Sequence, residues 1–127
     1  MKRHLKAESE RLKRFGEYLN GLRVKRGLSM LQLGARLGVN ETYIRLVERG
    51  LKEPDDEFVI NAAKFFGQEE NLLFEILGRV PLKVRIEVED NTLLQKAIKE
   101  IITSNCSNKR KEDLYLEFYR MCKKLLA

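Results

Sequence analysis

Between Ser29 and Gly50 two short apolar stripes meet across a glycine, and few folds accommodate that arrangement. The segment runs Ser29-Met30-Leu31-Gln32-Leu33-Gly34-Ala35-Arg36-Leu37-Gly38, then Val39-Asn40-Glu41-Thr42-Tyr43-Ile44-Arg45-Leu46-Val47-Glu48-Arg49-Gly50. Ser29 and Asn40 each precede a helical pattern and can cap it by accepting from first-turn N–H groups. Gly38 can take the left-handed conformation that stops a helix, and Gly50 stops the next one. Leu33, Leu37, Val39, Ile44 and Val47 then share one core and fix the angle between the two helices. The expected element is a short helix, a four-residue turn and a second short helix. Gly34, lacking a side chain, is expected to let a crossing helix come close.

Burying those five residues decides what faces outward on the second of these helices: Glu41, Thr42, Arg45, Leu46 and Arg49. Such groups can reach base edges or phosphates. An ordinary helical hairpin with a polar surface shares part of this pattern, so the charge distribution matters. The chain carries +6 overall, unevenly spread. Residues 1–53 hold 13 Lys/Arg against 6 Asp/Glu, residues 54–80 hold 2 against 6, and residues 81–127 hold 10 against 7. The positive charge is concentrated in the first 53 residues, as expected for a DNA-facing surface, although a solvated helical surface with chance bias would also carry it.

From about Phe15 to Arg79 the sequence resembles the phage-repressor (Xre/Cro/cI) family of helix-turn-helix domains. The matching residues include Leu22-Arg23, Arg26-Gly27-Leu28-Ser29, Leu33, Arg36-Leu37-Gly38-Val39, Tyr43-Ile44, Glu48-Arg49-Gly50 and Pro54. The resemblance implies an all-α, lambda-repressor-like five-helix DNA-binding domain whose helix after Asn40 enters the major groove. It places Asn40, Glu41, Thr42, Tyr43, Arg45 and Leu46 at base-facing or groove-edge positions. It puts Arg49 and the loop of Leu51 and Lys52 near phosphates, and it implies an ion pair between Arg23 and Glu48. Two positions depart from the pattern. Met30 stands where the family commonly has a phosphate-holding glutamine, and Asp56 stands where a leucine is usual, with Phe58 nearby as a substitute.

The rest of the chain extends this plan. Leu5, Leu12, Phe15, Leu19 and Leu22, at spacings of 7, 3, 4 and 3, form the stripe of a first helix ending at Gly27. Pro54, Asp55, Asp56 and Glu57 open a fourth helix with Val59, Ala62, Ala63 and Phe66 inside. A fifth, over about 69–77, buries Leu72, Leu73, Ile76 and Leu77. Val84, Ile86 and Val88 alternate with charges, which is a strand signal; with no partner strand, helix or turn is preferred. Two amphipathic helices follow, one on Leu93, Leu94, Ala97, Ile98, Ile101 and Ile102, and one over about 109–126. The last carries Leu114, Tyr115, Phe118, Met121, Cys122 and Leu125 on one wide face. The expected division is a DNA-binding domain over 1–79 and a helical extension over 80–127. The extension either forms a dimer interface or closes the monomer's core.

Several functions are disfavoured. Cys106, Cys122 and His4 are too few and too dispersed for a zinc site. Cys122 is expected in the core and Cys106 in an exposed loop. No apolar run is long enough to span a membrane, and the basic N-terminus lacks the apolar run of a signal peptide. Lys2, Arg3, His4 and Lys6 form either a DNA-touching arm or the start of the first helix. With no catalytic constellation and no cofactor expected, the preferred reading is a cytoplasmic regulator, acting as a homodimeric repressor of double-stranded DNA. The alternative is a protein-interaction module on the same fold, such as an antitoxin or antirepressor-like partner.

Overall fold

The computed structural model describes residues 2–127, with side chains from residue 7 onward. Every regular element among them is a helix: α1 Lys2–Lys25, α2 Met30–Leu37, α3 Glu41–Glu48, α4 Asp56–Phe66, α5 Glu70–Leu77, α6 Leu82–Asp90, α7 Thr92–Thr103 and α8 Asn108–Leu126. The chain divides into two compact units, Met1–Arg85 and Ile86–Ala127. The side chains of Leu5 and of the basic cluster Lys2, Arg3, His4 and Lys6, the candidate arm, lie outside the described residues.

Local chemistry sets the helix ends in the first unit. Ser29 Oγ accepts from Gln32 N at 3.0 Å while Gln32 Oε1 accepts from Ser29 N at 2.8 Å, a reciprocal cap that starts α2. Asn40 Oδ1 accepts from Tyr43 N at 2.8 Å and starts α3; Asp55 Oδ1 does the same for α4 through Phe58 N. Gly38, at φ 72°, closes α2 in the left-handed region where a Cβ would be strained. Only Gly38, Val39 and Asn40 separate α2 from α3, one residue fewer than the turn expected from sequence.

The core of this unit draws on α1 to α5, with Leu82 of α6 packed partly against it. Phe15 and Leu19 from α1 meet Leu33 and Leu37, Ile44 and Val47, Phe58, Val59, Ala62, Ala63 and Phe66, and Leu73, Phe74 and Leu77. Burying each large apolar side chain is worth about 1.5–3 kcal/mol, so this cluster is the main force holding α3 in place. Some inward assignments shift. Leu12, Leu22, Val39 and Ile76 are only partly buried against the core. On α5 Phe74 is buried and Leu72 faces out at 38% exposure, because the stripe used is 73, 74 and 77 rather than 72, 73, 76 and 77.

Close backbone approach adds what periodicity does not reveal. A Cβ on Gly34 would sit 2.5 Å from the Val39 carbonyl oxygen. The space is thus used by the turn's own backbone rather than by a crossing helix. The helix crossing is instead at Gly16, where a Cβ would sit 2.4 Å from the Glu48 carbonyl oxygen and 2.5 Å from that of Val47. Gly21, in the same helix, has nothing within 4 Å of its Cβ position. Gly21→Ala is therefore expected to stabilise the unit by roughly 0.5–1 kcal/mol through helix propensity. Gly16→Ala gains the same propensity yet is expected to destabilise, since α1 must move off the end of α3. Urea unfolding of the two variants checks the opposite signs.

The second unit contains α7 and α8, capped by Asn91 and Ser107 through Leu94 N and Arg110 N. Neither helix buries a residue. Cys122 is half-buried rather than a core thiol, since α8 has no covered side. Cys106 is also half-buried, its Sγ 2.9 Å from Ser104 Oγ, rather than exposed in its loop. The alternating Val84, Ile86 and Val88 lie in α6, where the helix supplies the backbone partners a lone strand would lack.

Candidate nucleic-acid interface

Ile44 and Val47 are buried, which fixes the rotation of α3 about its axis. Glu41 and Thr42 are then exposed, Arg45 and Leu46 are half-exposed, and Arg49 stands exposed at the helix C-terminus. Glu41 Oε1 lies 3.6 Å from Arg45 Nη2, an i,i+4 ion pair on the open side of the helix. Asn40 is exposed next to them with its Oδ1 committed to the cap.

Tyr43 plays a different part from its neighbours. Its ring lies 5.1 Å from that of Phe58, and its hydroxyl accepts from Asp55 N at 3.2 Å. Burial pushes the Tyr43 phenol pKa above its ordinary value, so it ionises less readily. Lys52 Nζ sits 5.3 Å from the ring centroid, close enough for cation–π attraction. Tyr43 thus ties α3 to the start of α4 and holds Lys52 over the intervening loop. Leu51 in that loop is 67% exposed, and its N–H donates to the Leu46 carbonyl.

Beneath this face Arg23 and Glu48 form the expected ion pair, Nε to Oε2 at 2.6 Å and Nη2 to Oε1 at 2.9 Å. Arg23 also donates to the Leu28 carbonyl, and Asn20 donates to Glu48 Oε1 at 2.7 Å. The hydrogen bonds to Glu48 raise the Arg23 ionisation against the effect of burial. One carboxylate therefore locks the end of α3 to α1 and to the loop before α2.

A second network had no sequence signal. Glu53 accepts from Arg11 and Arg79, and Asp56 accepts from Arg79 and Arg85. Arg79 also donates to the Pro54 carbonyl at 2.6 Å and Arg11 to that of Leu77 at 2.9 Å. The unusual Asp56 is thereby accommodated by two arginines, while Phe58 enters the core. These partners lie 23 to 66 residues apart, beyond any local pattern. Met30, at the position of the missing glutamine, packs partly against the core.

These arginines set an acid limit on the fold. Burial pushes the Glu53 carboxyl up, but hydrogen bonds from Arg11 and Arg79 outweigh it and hold it below its ordinary 4.5. Hydrogen bonding from Arg85, aided by Arg79 and opposed by burial, holds Asp56 below 3.8. As pH falls the unfolded chain takes up these protons first. The network's contribution is whole above about pH 5 and is lost progressively below about pH 4. Melting temperature should drop in that window, and Asp56→Asn should make the drop shallower.

The sequence profile of the helix-turn-helix family HTH_3 matches residues 19–73, from the second half of α1 into α5. Two proteins named uncharacterized HTH-type transcriptional regulators, from two strains of Mycobacterium tuberculosis, are each 27% identical to the chain over 104 residues. Those alignments cover 82% of this chain and 68% of theirs. A solved structure titled SinR protein/SinI protein complex superposes with a TM-score of 0.45 at 19% identity, covering 87% of this chain and 98% of that one.

Proposed function

The chain carries a helix-turn-helix domain of the phage-repressor (Xre/cI-like) type over residues 19–73, and from that premise we propose that it is a sequence-specific regulator of transcription that binds double-stranded DNA. It acts as a repressor, as a homodimer on a two-fold operator, in the cytoplasm. The observation that carries this reading is the outer side of α3. Buried Ile44 and Val47 leave Glu41, Thr42, Arg45 and Leu46 outward, with Asn40 at one end and Arg49 and Lys52 at the other. Arg45, Thr42 and Glu41 are the base readers; Arg49 and Lys52 neutralise phosphates. Tyr43 braces the loop from behind. The family match points to a binding protein rather than an enzyme.

The second unit supports the dimer. Leu114, Tyr115, Leu116, Phe118, Tyr119, Met121, Leu125 and Leu126 of α8 are 46–81% exposed. Units of about 40 residues without a core of their own depend on assembly to fold. A two-fold pairing of this surface would match two half-sites on the operator. No described helix is long and apolar enough to cross a membrane.

Selection of bound sites from random duplexes tests the reading. An inverted repeat is expected. Arg45→Ala should weaken binding to the selected site by the equivalent of about 1–3 kcal/mol and leave melting nearly unchanged. Equal losses on selected and random DNA would assign Arg45 to phosphate. Absence of any enriched sequence would favour a protein-interaction module on the same fold.

A further inference from the structure

We infer that Glu41 and Arg45 act together as one reading unit that specifies a single G·C base pair in each half-site. The inference rests on α3 being the DNA-reading helix, and it adds which chemistry α3 reads.

Glu41 and Arg45 lie one helical turn apart on the outward side of α3, at 48% and 38% side-chain exposure. Their rotation is set from beneath by buried Ile44 and Val47. The Oε1–Nη2 separation of 3.6 Å is an ion pair but lies beyond hydrogen-bonding distance. Donors on Arg45 and acceptors on Glu41 therefore remain available to bases. The N-terminus of α3 is already capped by Asn40. The helix dipole gives a first-turn carboxylate a modest stabilisation, but on a DNA-facing side that charge also repels phosphates on approach.

The major-groove edge of a G·C pair presents acceptor, acceptor, donor: guanine N7 and O6, then cytosine N4. An arginine beside a carboxylate presents donor, donor, acceptor. Guanine O6 and cytosine N4 are hydrogen-bonded to each other, so they lie about 2.9 Å apart. A neighbouring guanidinium and carboxylate can address both. An A·T pair offers a donor where Arg45 needs an acceptor and an acceptor where Glu41 needs a donor. Glu41 also restrains Arg45 from phosphates, so the pair reduces binding to random sequence while favouring the matched site.

The test uses the full chain and duplexes selected by it. Wild type, Glu41→Ala, Arg45→Ala and the double variant are titrated on the selected site, on the same site with the G·C pair changed to A·T, and on random duplex. Glu41→Ala should bind random duplex more tightly, yet its preference for the selected site should fall roughly 5- to 150-fold, the range of one good base contact. The double variant should lose little more preference than either single one, as coupled residues do. If Glu41→Ala tightens binding to all three duplexes by the same factor, Glu41 is only a repulsive charge and the inference fails. If sites are enriched but no G·C position depends on Glu41, the inference fails and the DNA-binding reading stands. If nothing is enriched, both fail.

Discussion

Truncation after Asp90, removing α7 and α8, is expected to give a monomer that keeps its helix-turn-helix and binds operator far more weakly. The first unit closes its core through Leu77 and ends at Arg85, whose pairing with Asp56 survives the cut. No residue of the removed helices is buried in the single chain, so the loss is expected to fall on assembly rather than on the fold of the first unit. A dimer places the second half-site contact at high effective concentration. Losing that linkage costs on the order of 10²–10⁴ in apparent affinity. Sedimentation and operator titration of the truncated and full chains decide the matter. A truncated protein that still sediments as a dimer would place the interface in the first unit.

Glu48→Ala is expected to be the most damaging single truncation of a side chain at the interface. Glu48 is 4% exposed and Arg23 12%, so little water can replace the lost partner. Removing one side of a buried pair costs about 3–5 kcal/mol. The lower end is expected here, because Arg23 keeps its bond to the Leu28 carbonyl. A loss of about 3 kcal/mol corresponds to a drop of roughly 12–24 °C in melting temperature for a domain of this size. DNA binding should fail in parallel, since α3 loses its tie to α1. Glu48→Gln, which keeps the shape and part of the hydrogen bonding, should lie between the two. A Glu48→Ala protein melting within a few degrees of wild type would overturn the assigned role.

Much of the interface was legible because its determinants are local. The caps at Ser29 and Asn40, the stop at Gly38 and the inward positions Leu33, Leu37, Ile44 and Val47 each depend on residues within a few turns of helix. The outward set Glu41, Thr42, Arg45, Leu46 and Arg49 follows by exclusion. Arg23 and Glu48 were reachable only through the family pattern, as they lie 25 residues apart. The network of Arg11, Glu53, Asp56, Arg79 and Arg85 gave no signal, because charged residues at those spacings look like any solvated surface. Tyr43 shares a helix with the proposed base readers, yet its ring turns to Phe58.

By itself the amino-acid sequence determined the helices, most of their ends and the outward side of α3, because periodicity and capping act within a single element. Tertiary structure alone decided how those helices meet. Gly16 is required only because the end of α3 lies over it, and the space at Gly34 is filled by its own turn. Phe74 is buried instead of Leu72 because α5 presents one of two neighbouring stripes to the core. Asp56 is tolerated because Arg79 and Arg85 reach it. Apart from Gly34, each of these depends on contacts between residues distant in sequence, where a short-range pattern carries no energy and therefore no information.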